Sequence, residues 1–218
     1  MFEKLSEEKK TEILETGIAE FAAQGVDRAN INVIARKAGI SVGVLYKYYT
    51  DKETFFLACL KRSLDVLNSV LQEQITSSDK LLVRAGKIIR AVQKTSREHS
   101  NYIRMYNEIT SGGSRKYAPV LAEKIEGLSS TVYARFIADA AKNGDIRDDI
   151  DPRLFAFFFD NLLMMLQFSY SCDYYRERFK VFCGAESADD DELVASQLTK
   201  FLESAFTFRS SDVKHLEK

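Results

Sequence analysis

The amino-acid sequence predicts an all-α protein. Its 218 residues include only two prolines, so strands punctuated by glycine and proline are not indicated. Leu, Ala, Glu, Lys and Ile are abundant, and these residues favour helices. Apolar residues also recur with a helical period along most of the chain, which predicts amphipathic helices packed around a core.

Start and stop signals divide the chain into about nine helices. Ser6 is a good N-cap for the first helix, and Gly25 stands where a glycine can end it. Thr50 and Glu53 have the spacing of a capping box, and Asp151 precedes a proline in the first turn of a later helix. The predicted helices cover about 6–25, 30–39, 41–48, 50–74, 80–97, 100–110, 117–143, 151–174 and 189–208.

Several classes of protein are disfavoured. The N-terminus has no apolar segment of the secretory type, which predicts a cytoplasmic location. The most apolar stretch, Leu154 to Phe168, contains Asp160 and is shorter than the about 20 residues of a membrane span, so it is interpreted as a buried helix. Three cysteines without metal-ligand spacing and two isolated histidines indicate no metal, no cofactor and no catalytic constellation. We therefore do not expect an enzyme.

Residues 30–49 contain the pattern that predicts function. Two short apolar-periodic segments flank a turn of about three residues at Gly39-Ile40-Ser41. Gly39 can take a left-handed conformation, and Ala35 is small enough for two helices to approach closely. Ile34 and Leu45 are spaced to share a small core. This is the arrangement of a helix-turn-helix, whose second helix enters the major groove of DNA.

Local charge favours the same interpretation. The whole chain has a formal net charge of −1, but residues 31–52 contain four basic residues and only one acidic residue, Asp51. Ser41 and Thr50 place two helix N-termini nearby, and helix N-termini bind phosphates. The three tyrosines of the segment add hydroxyl donors and flat apolar faces, and Gly43 allows a close backbone approach.

This segment, together with the TDKETFF that follows it, resembles the TetR/AcrR family of transcription regulators. The family pattern is matched over about 50 residues at Ile34, Ala35, Ala38, Gly39, Ser41, Gly43, Leu45, Tyr46, Tyr48, Lys52 and Glu53. The resemblance implies a homodimer with three N-terminal helices for double-stranded operator DNA. The remaining helices would bind a small-molecule effector of unknown identity and form the dimer interface, with domains at residues 1–52 and 53–218.

The resemblance also implies which residues meet DNA. Tyr46, Lys47 and Tyr48 would lie at the groove, and Lys52 would meet a phosphate. Val42 and Val44 depart from the polar residues usual in the family, although their methyl groups suit thymine. The complete predicted set is Asn30, Asn32, Ser41, Val42, Gly43, Val44, Tyr46, Lys47, Tyr48 and Lys52.

The C-terminal domain offers weaker patterns. Aromatic residues and methionines suit an adaptable apolar pocket, but core packing explains the same pattern. The predicted effector residues are Tyr102, Met105, Tyr106, Phe136, Phe159 and Met164. The predicted dimer-interface residues are Phe155, Phe158, Leu162, Met165, Leu198, Phe201 and Leu202.

The sequence therefore predicts a sequence-specific DNA-binding regulator, a repressor that a small molecule releases from its operator. Two alternatives remain open. The chain could be an activator or a ligand-independent regulator. It could also be a helical small-molecule-binding protein that has lost operator recognition, an alternative for which Val42 and Val44 are the main support.

Overall fold

The computed structural model describes residues 5–75, 79–113 and 118–208. Within these ranges the secondary structure is helical, and there are eleven α-helices rather than about nine. They are α1 Glu7–Arg28, α2 Ile31–Lys37, α3 Val42–Tyr48, α4 Lys52–Ile75, α5 Leu81–Glu98, α6 Ser100–Glu108, α7 Ala118–Lys142, α8 Pro152–Ser171, α9 Asp173–Cys183, α10 Ala185–Asp189 and α11 Asp191–Thr207. A π-helical turn, Ile109–Gly113, follows α6.

Four of the predicted N-caps are confirmed, namely Ser6, Asn30, Ser41 and Asp151. Ser6 accepts a hydrogen bond from the Lys9 amide, and Asp151 accepts from two amides of the first turn of α8. At α4 the cap differs from the prediction, because the Thr54 amide donates to the Asp51 carboxylate at 2.7 Å. Asp51, not Thr50, therefore caps α4. Amide donation to the carboxylate lowers the pKa of Asp51.

The helix predicted to reach residue 174 ends earlier. Cys172 takes an extended backbone conformation, and α9 starts at Asp173. Gly184, with φ of 78°, separates α9 from α10. These two short helices were not predicted, and they account for the additional elements between α8 and α11.

An N-terminal core joins α1, α2 and α3 to the first half of α4 and to α6. Ile18, Ile34 and Leu45 are fully buried in it. Gly17 on α1 lets α4 approach closely, because a Cβ at this position would lie 2.5 Å from the Phe55 ring. The first half of α4 thus packs with α1, α2 and α3, and the domain division at residues 52 and 53 stays a prediction.

A C-terminal core is formed by α5, α7, α8 and α11, with Ile89, Ile137 and Leu163 among its buried residues. A third, smaller cluster around Ile103 and Phe168 connects α6 to α8.

None of the helices in the described ranges is long and apolar enough to cross a membrane. The described residues also contain no group of three metal-ligating side chains.

Candidate nucleic-acid interface and adjoining cavity

The helix-turn-helix forms from its own capping and packing residues. Asn30 caps α2 by accepting from the Asn32 amide at 2.9 Å, and Ser41 caps α3 by accepting from the Val44 amide at 3.2 Å. Gly39 has φ of 64° in the turn, which L side chains rarely adopt. The predicted turn and both predicted N-caps are therefore present, and they fix the direction of α3.

The residues predicted to meet DNA are not equally available. Asn30, Asn32, Ser41, Gly43, Tyr46 and Lys47 are exposed, whereas Val42, Val44, Tyr48 and Lys52 are half-buried. A Cβ on Gly43 would make only an ordinary contact, with the Ser41 hydroxyl at 3.8 Å, so open space adjoins the start of α3. The six exposed residues are therefore the members of the predicted set that a partner molecule can reach without a change in the fold.

Three of the predicted contact residues also have partners within the domain. The Tyr48 hydroxyl accepts a hydrogen bond from the Leu5 amide at 2.9 Å and so attaches the segment before α1 to α3. The Lys52 ammonium donates to the Asp27 carbonyl at 2.7 Å. Val42 packs against the N-terminal core. Tyr48, Lys52 and Val42 therefore each have a structural role in the folded chain, and their contacts with DNA stay predictions.

A cavity of about 130 Å³ lies among α4, α5, α6, α7 and α8, and we call it the main cavity. Its walls are largely aliphatic, and four of the six predicted effector residues line it: Tyr102, Met105, Tyr106 and Met164. The other two, Phe136 and Phe159, are corrections. They line a separate gap of about 10 Å³, because Tyr133 and Ile88 stand between the two spaces.

Two acidic residues that sequence reasoning missed also line the main cavity. Asp160 on α8 and Glu126 on α7 lie among apolar walls, and the Tyr106 hydroxyl donates to Glu126 Oε1 at 2.6 Å. Burial raises the pKa of Asp160 to about 6, the nearby Glu126 adds to the rise, and the Ser129 hydroxyl opposes it. The sequence does contain a signal for Asp160, because this acidic residue interrupts the most apolar stretch of the chain.

Burial and the same carboxylates also raise the pKa values of two phenols. For Tyr106 the main cause is burial, followed by the charge of Glu126. For Tyr133 burial again dominates, and Asp160 and Glu126 both contribute. Two carboxyl groups and two neutral phenols thus share one end of the main cavity.

One hydrogen-bonded junction connects the main cavity to α1 of the N-terminal core. Tyr102 lines the cavity from α6, and its hydroxyl donates to Glu15 Oε1 on α1 at 2.6 Å. Arg62 on α4 donates to the same oxygen at 2.7 Å. Burial and the bond to Glu15 raise the pKa of Tyr102 to about 12. We call Glu15, Arg62 and Tyr102 the α1 junction.

Known proteins resemble both the sequence and the fold. The family profile described as "Bacterial regulatory proteins, tetR family" matches residues 13–59. The HTH-type transcriptional regulator HbdR of Aromatoleum sp. (strain CIB) is 35% identical over 72 residues, which cover 33% of this chain and 31% of that protein. An HTH-type transcriptional regulator of Bacillus subtilis (strain 168), YhgD, is 22% identical over 166 residues, covering 76% and 86% of the two chains.

A crystal structure of AibR in complex with isovaleryl coenzyme A and operator DNA shares the fold. It superposes with a TM-score of 0.65 at 16% identity, covering 88% of this chain and 97% of that one. Over residues 13–59, which include the helix-turn-helix, the chain therefore resembles bacterial regulatory proteins of the tetR family. The match to HbdR spans under a third of that relative, and the family profile matches the part of the chain that contains α2, α3 and the start of α4.

The predicted dimer face lies on α8 and α11. Phe158 and Phe201 are 55% and 60% exposed, and Phe155, Leu162, Met165 and Leu198 are half-buried. Leu202 is a correction, because it is only 3% exposed and is buried in the C-terminal core. Leu154 and Phe157 on α8, which were not predicted for the dimer face, are 54% and 62% exposed.

Proposed function

We propose that the chain is a homodimeric repressor of the TetR family that binds operator DNA through α3 and leaves it when a small molecule occupies the main cavity. The observation that carries the proposal is the α1 junction. Tyr102 touches the cavity and also holds Glu15, which lies on a helix of the DNA-binding domain. A ligand that displaces the phenol would therefore change how α1 is attached.

The homodimer part of the proposal is supported by exposed apolar area. Phe157, Phe158 and Phe201 are each more than half exposed, and contiguous exposed apolar patches mark interaction surfaces. A two-fold interface buries the same patch on both copies. To bind an operator, a dimer that pairs α8 and α11 with the same helices of a second copy has to present its two α3 helices about 34–36 Å apart, which is the spacing of successive major grooves.

Repression requires unequal binding of the ligand to two conformations. A ligand can shift DNA affinity only by its differential affinity for the DNA-bound and free states. Since α4 and α6 both contribute to the main cavity and to the N-terminal core, a ligand that separates them would tilt α1 through Tyr102 and Arg62.

The test measures operator affinity by fluorescence anisotropy, with DNA from the promoter region of the gene itself. Glu15→Gln keeps an acceptor for Tyr102 but removes the charge that Arg62 meets. The expected result is an altered operator affinity and a weaker ligand response. The matched control is Glu12→Gln, one turn earlier on α1, where the carboxylate pairs only with Lys9 of the same helix among the described residues. Equal operator affinities with and without bound ligand would contradict the proposal.

A helical binding protein without operator recognition is the second candidate, because Val42 packs against the core and Val44 is half-buried. Salt dependence separates the two. Binding that uses phosphate contacts weakens with salt at a log–log slope of about −0.9 per phosphate. Binding with no such slope and no preference for the promoter sequence would favour this candidate. Deletion of the gene distinguishes repressor from activator, since loss of a repressor raises target expression.

A further inference from the structure

We propose that the main cavity binds an organic cation, either a protonated amine or a quaternary ammonium ion that carries an apolar body. This inference rests on the proposed function for the role of the cation as effector, but the binding itself is independent of DNA. The class of ligand follows from three properties of the cavity: its charges, its aromatic groups and its length.

The charges of the lining are all of one sign. Glu126 and Asp160 both line the cavity, and none of the described lining residues is a lysine, an arginine or a histidine. The two carboxyl groups lie close enough for Glu126 to raise the pKa of Asp160. Because an ionised carboxylate in an apolar site is costly without a partner, a cation would relieve both the desolvation and the mutual repulsion. An anionic ligand would add a third negative charge.

The aromatic groups at this end suit a cation as well. Tyr106 and Tyr133 both interact with the two carboxyl groups, and both line the cavity. The negative face of a tyrosine ring attracts ammonium groups, most strongly where water is excluded. The Tyr106 hydroxyl also lies 3.2 Å from the Met164 sulfur, so an apolar, polarizable wall follows directly after the charged end.

The length of the cavity defines the rest of the ligand. Asp160 and Gln167 line it from the same helix, and seven residues of α8 span about 10 Å. Ser96 also lines the cavity and is fully buried, and its hydroxyl has no hydrogen-bond partner. Its carbonyl accepts from the Ser171 hydroxyl at 2.9 Å, which places Ser96 near the C-terminal end of α8, away from Asp160. The structure thus offers a cation site, an apolar middle and a buried hydroxyl for a polar group.

Direct calorimetric titration of the full-length protein tests the inference. The probes are decyltrimethylammonium, decan-1-ol and decanoate at the same concentrations, all below those at which they aggregate. The three share a ten-carbon chain and differ in the charge of the head group. The expected order of affinity is cation, then alcohol, then carboxylate, with the cation about tenfold or more tighter than the alcohol.

The variants Asp160→Asn and Glu126→Gln locate the cation. Each variant is expected to weaken the binding of decyltrimethylammonium about tenfold and to leave the affinity for decan-1-ol nearly unchanged. The reason is that removing one carboxylate takes away a charged partner of the bound cation, which is costly in a buried site. Gln at position 126 keeps an oxygen that can accept from Tyr106. The matched controls are Asp139→Asn and Glu123→Gln, exposed positions on α7 outside the cavity, which should bind all three probes as the wild type does.

Decanoate binding as tightly as the cation, or unchanged cation binding by both cavity variants, would overturn the inference. Thermal melts of each variant exclude loss of the fold as the cause of weak binding. Operator anisotropy with saturating decyltrimethylammonium separates the two proposals. If the cation binds with the expected dependence on the carboxylates but leaves operator affinity unchanged, the cation site is supported and release from the operator by this ligand is refuted.

Discussion

Replacement of Asp160 by asparagine should stabilise the unliganded protein near neutral pH. Its carboxyl group is largely surrounded by the apolar wall of the main cavity and has no cation among the described lining residues. A rise of the pKa from 3.8 to about 6 corresponds to about 3 kcal/mol between the protonated and the ionised form. Asparagine carries no charge, so the variant avoids this cost.

The gain in the free energy of unfolding of Asp160→Asn over the wild type should increase with pH. Because the pKa of Asp160 is higher in the folded than in the unfolded chain, the folded state binds more protons between about pH 4 and pH 6. The wild type therefore loses stability as pH rises through this window, and the full cost is present above it. Relative to the wild type, the gain for Asp160→Asn should be up to about 3 kcal/mol at pH 7.5 and about half of that at pH 5.

Urea unfolding of wild type and variant at the two pH values, at equal protein concentration, measures this difference. Asp139→Asn on α7 is the control, because its side chain is exposed, and its stability should follow that of the wild type at both pH values. A variant that is less stable than the wild type at pH 7.5 would refute the reasoning. So would a gain of the same size at both pH values, because it would come from packing and not from charge.

Three further predictions concern other parts of the molecule. Gly17→Ala should destabilise the protein by about 1–3 kcal/mol in urea unfolding, because its Cβ would overlap the buried Phe55 ring, whereas Gly127→Ala, which meets nothing within 4 Å, should be neutral or stabilising. Lys47→Ala should reduce the salt slope of operator binding by about one phosphate contact, and Lys94→Ala on α5 should leave the slope unchanged. Phe158→Asp should shift the protein to monomers in sedimentation velocity, and a variant that remains fully dimeric would place the interface elsewhere.

The helix-turn-helix could be predicted from sequence because its signals are local. A capping side chain acts on amides two or three residues away, and the glycine at position 39 permits a positive φ without steric cost. The cap of α4 was assigned to Thr50 instead of Asp51, because adjacent residues can both serve and only the observed hydrogen bond at Thr54 distinguishes them.

The main cavity was harder to predict because it depends on where the side chains of neighbouring helices leave a space unfilled. Periodicity indicates which helix face is apolar, but it does not distinguish a filled gap from an open one. Tyr106 and Phe136 both face inward, yet the first lines the main cavity and the second a gap of about 10 Å³. The pairing of Glu126 with Asp160 needs the relative rotation of α7 and α8, which a single sequence does not specify.

The shared oxygen of Glu15 limits how sensitive the proposed switch can be. A hydrogen bond to a charged group contributes about 1.5–3 kcal/mol. If a ligand acts only by removing the Tyr102 bond, it can change operator affinity by no more than about 10- to 150-fold, because the coupling free energy cannot exceed what the bond supplied. Arg62 would still hold the carboxylate, so α1 would be loosened and not released. A ligand that acts in this way would relieve repression only by a bounded factor and would not remove it completely.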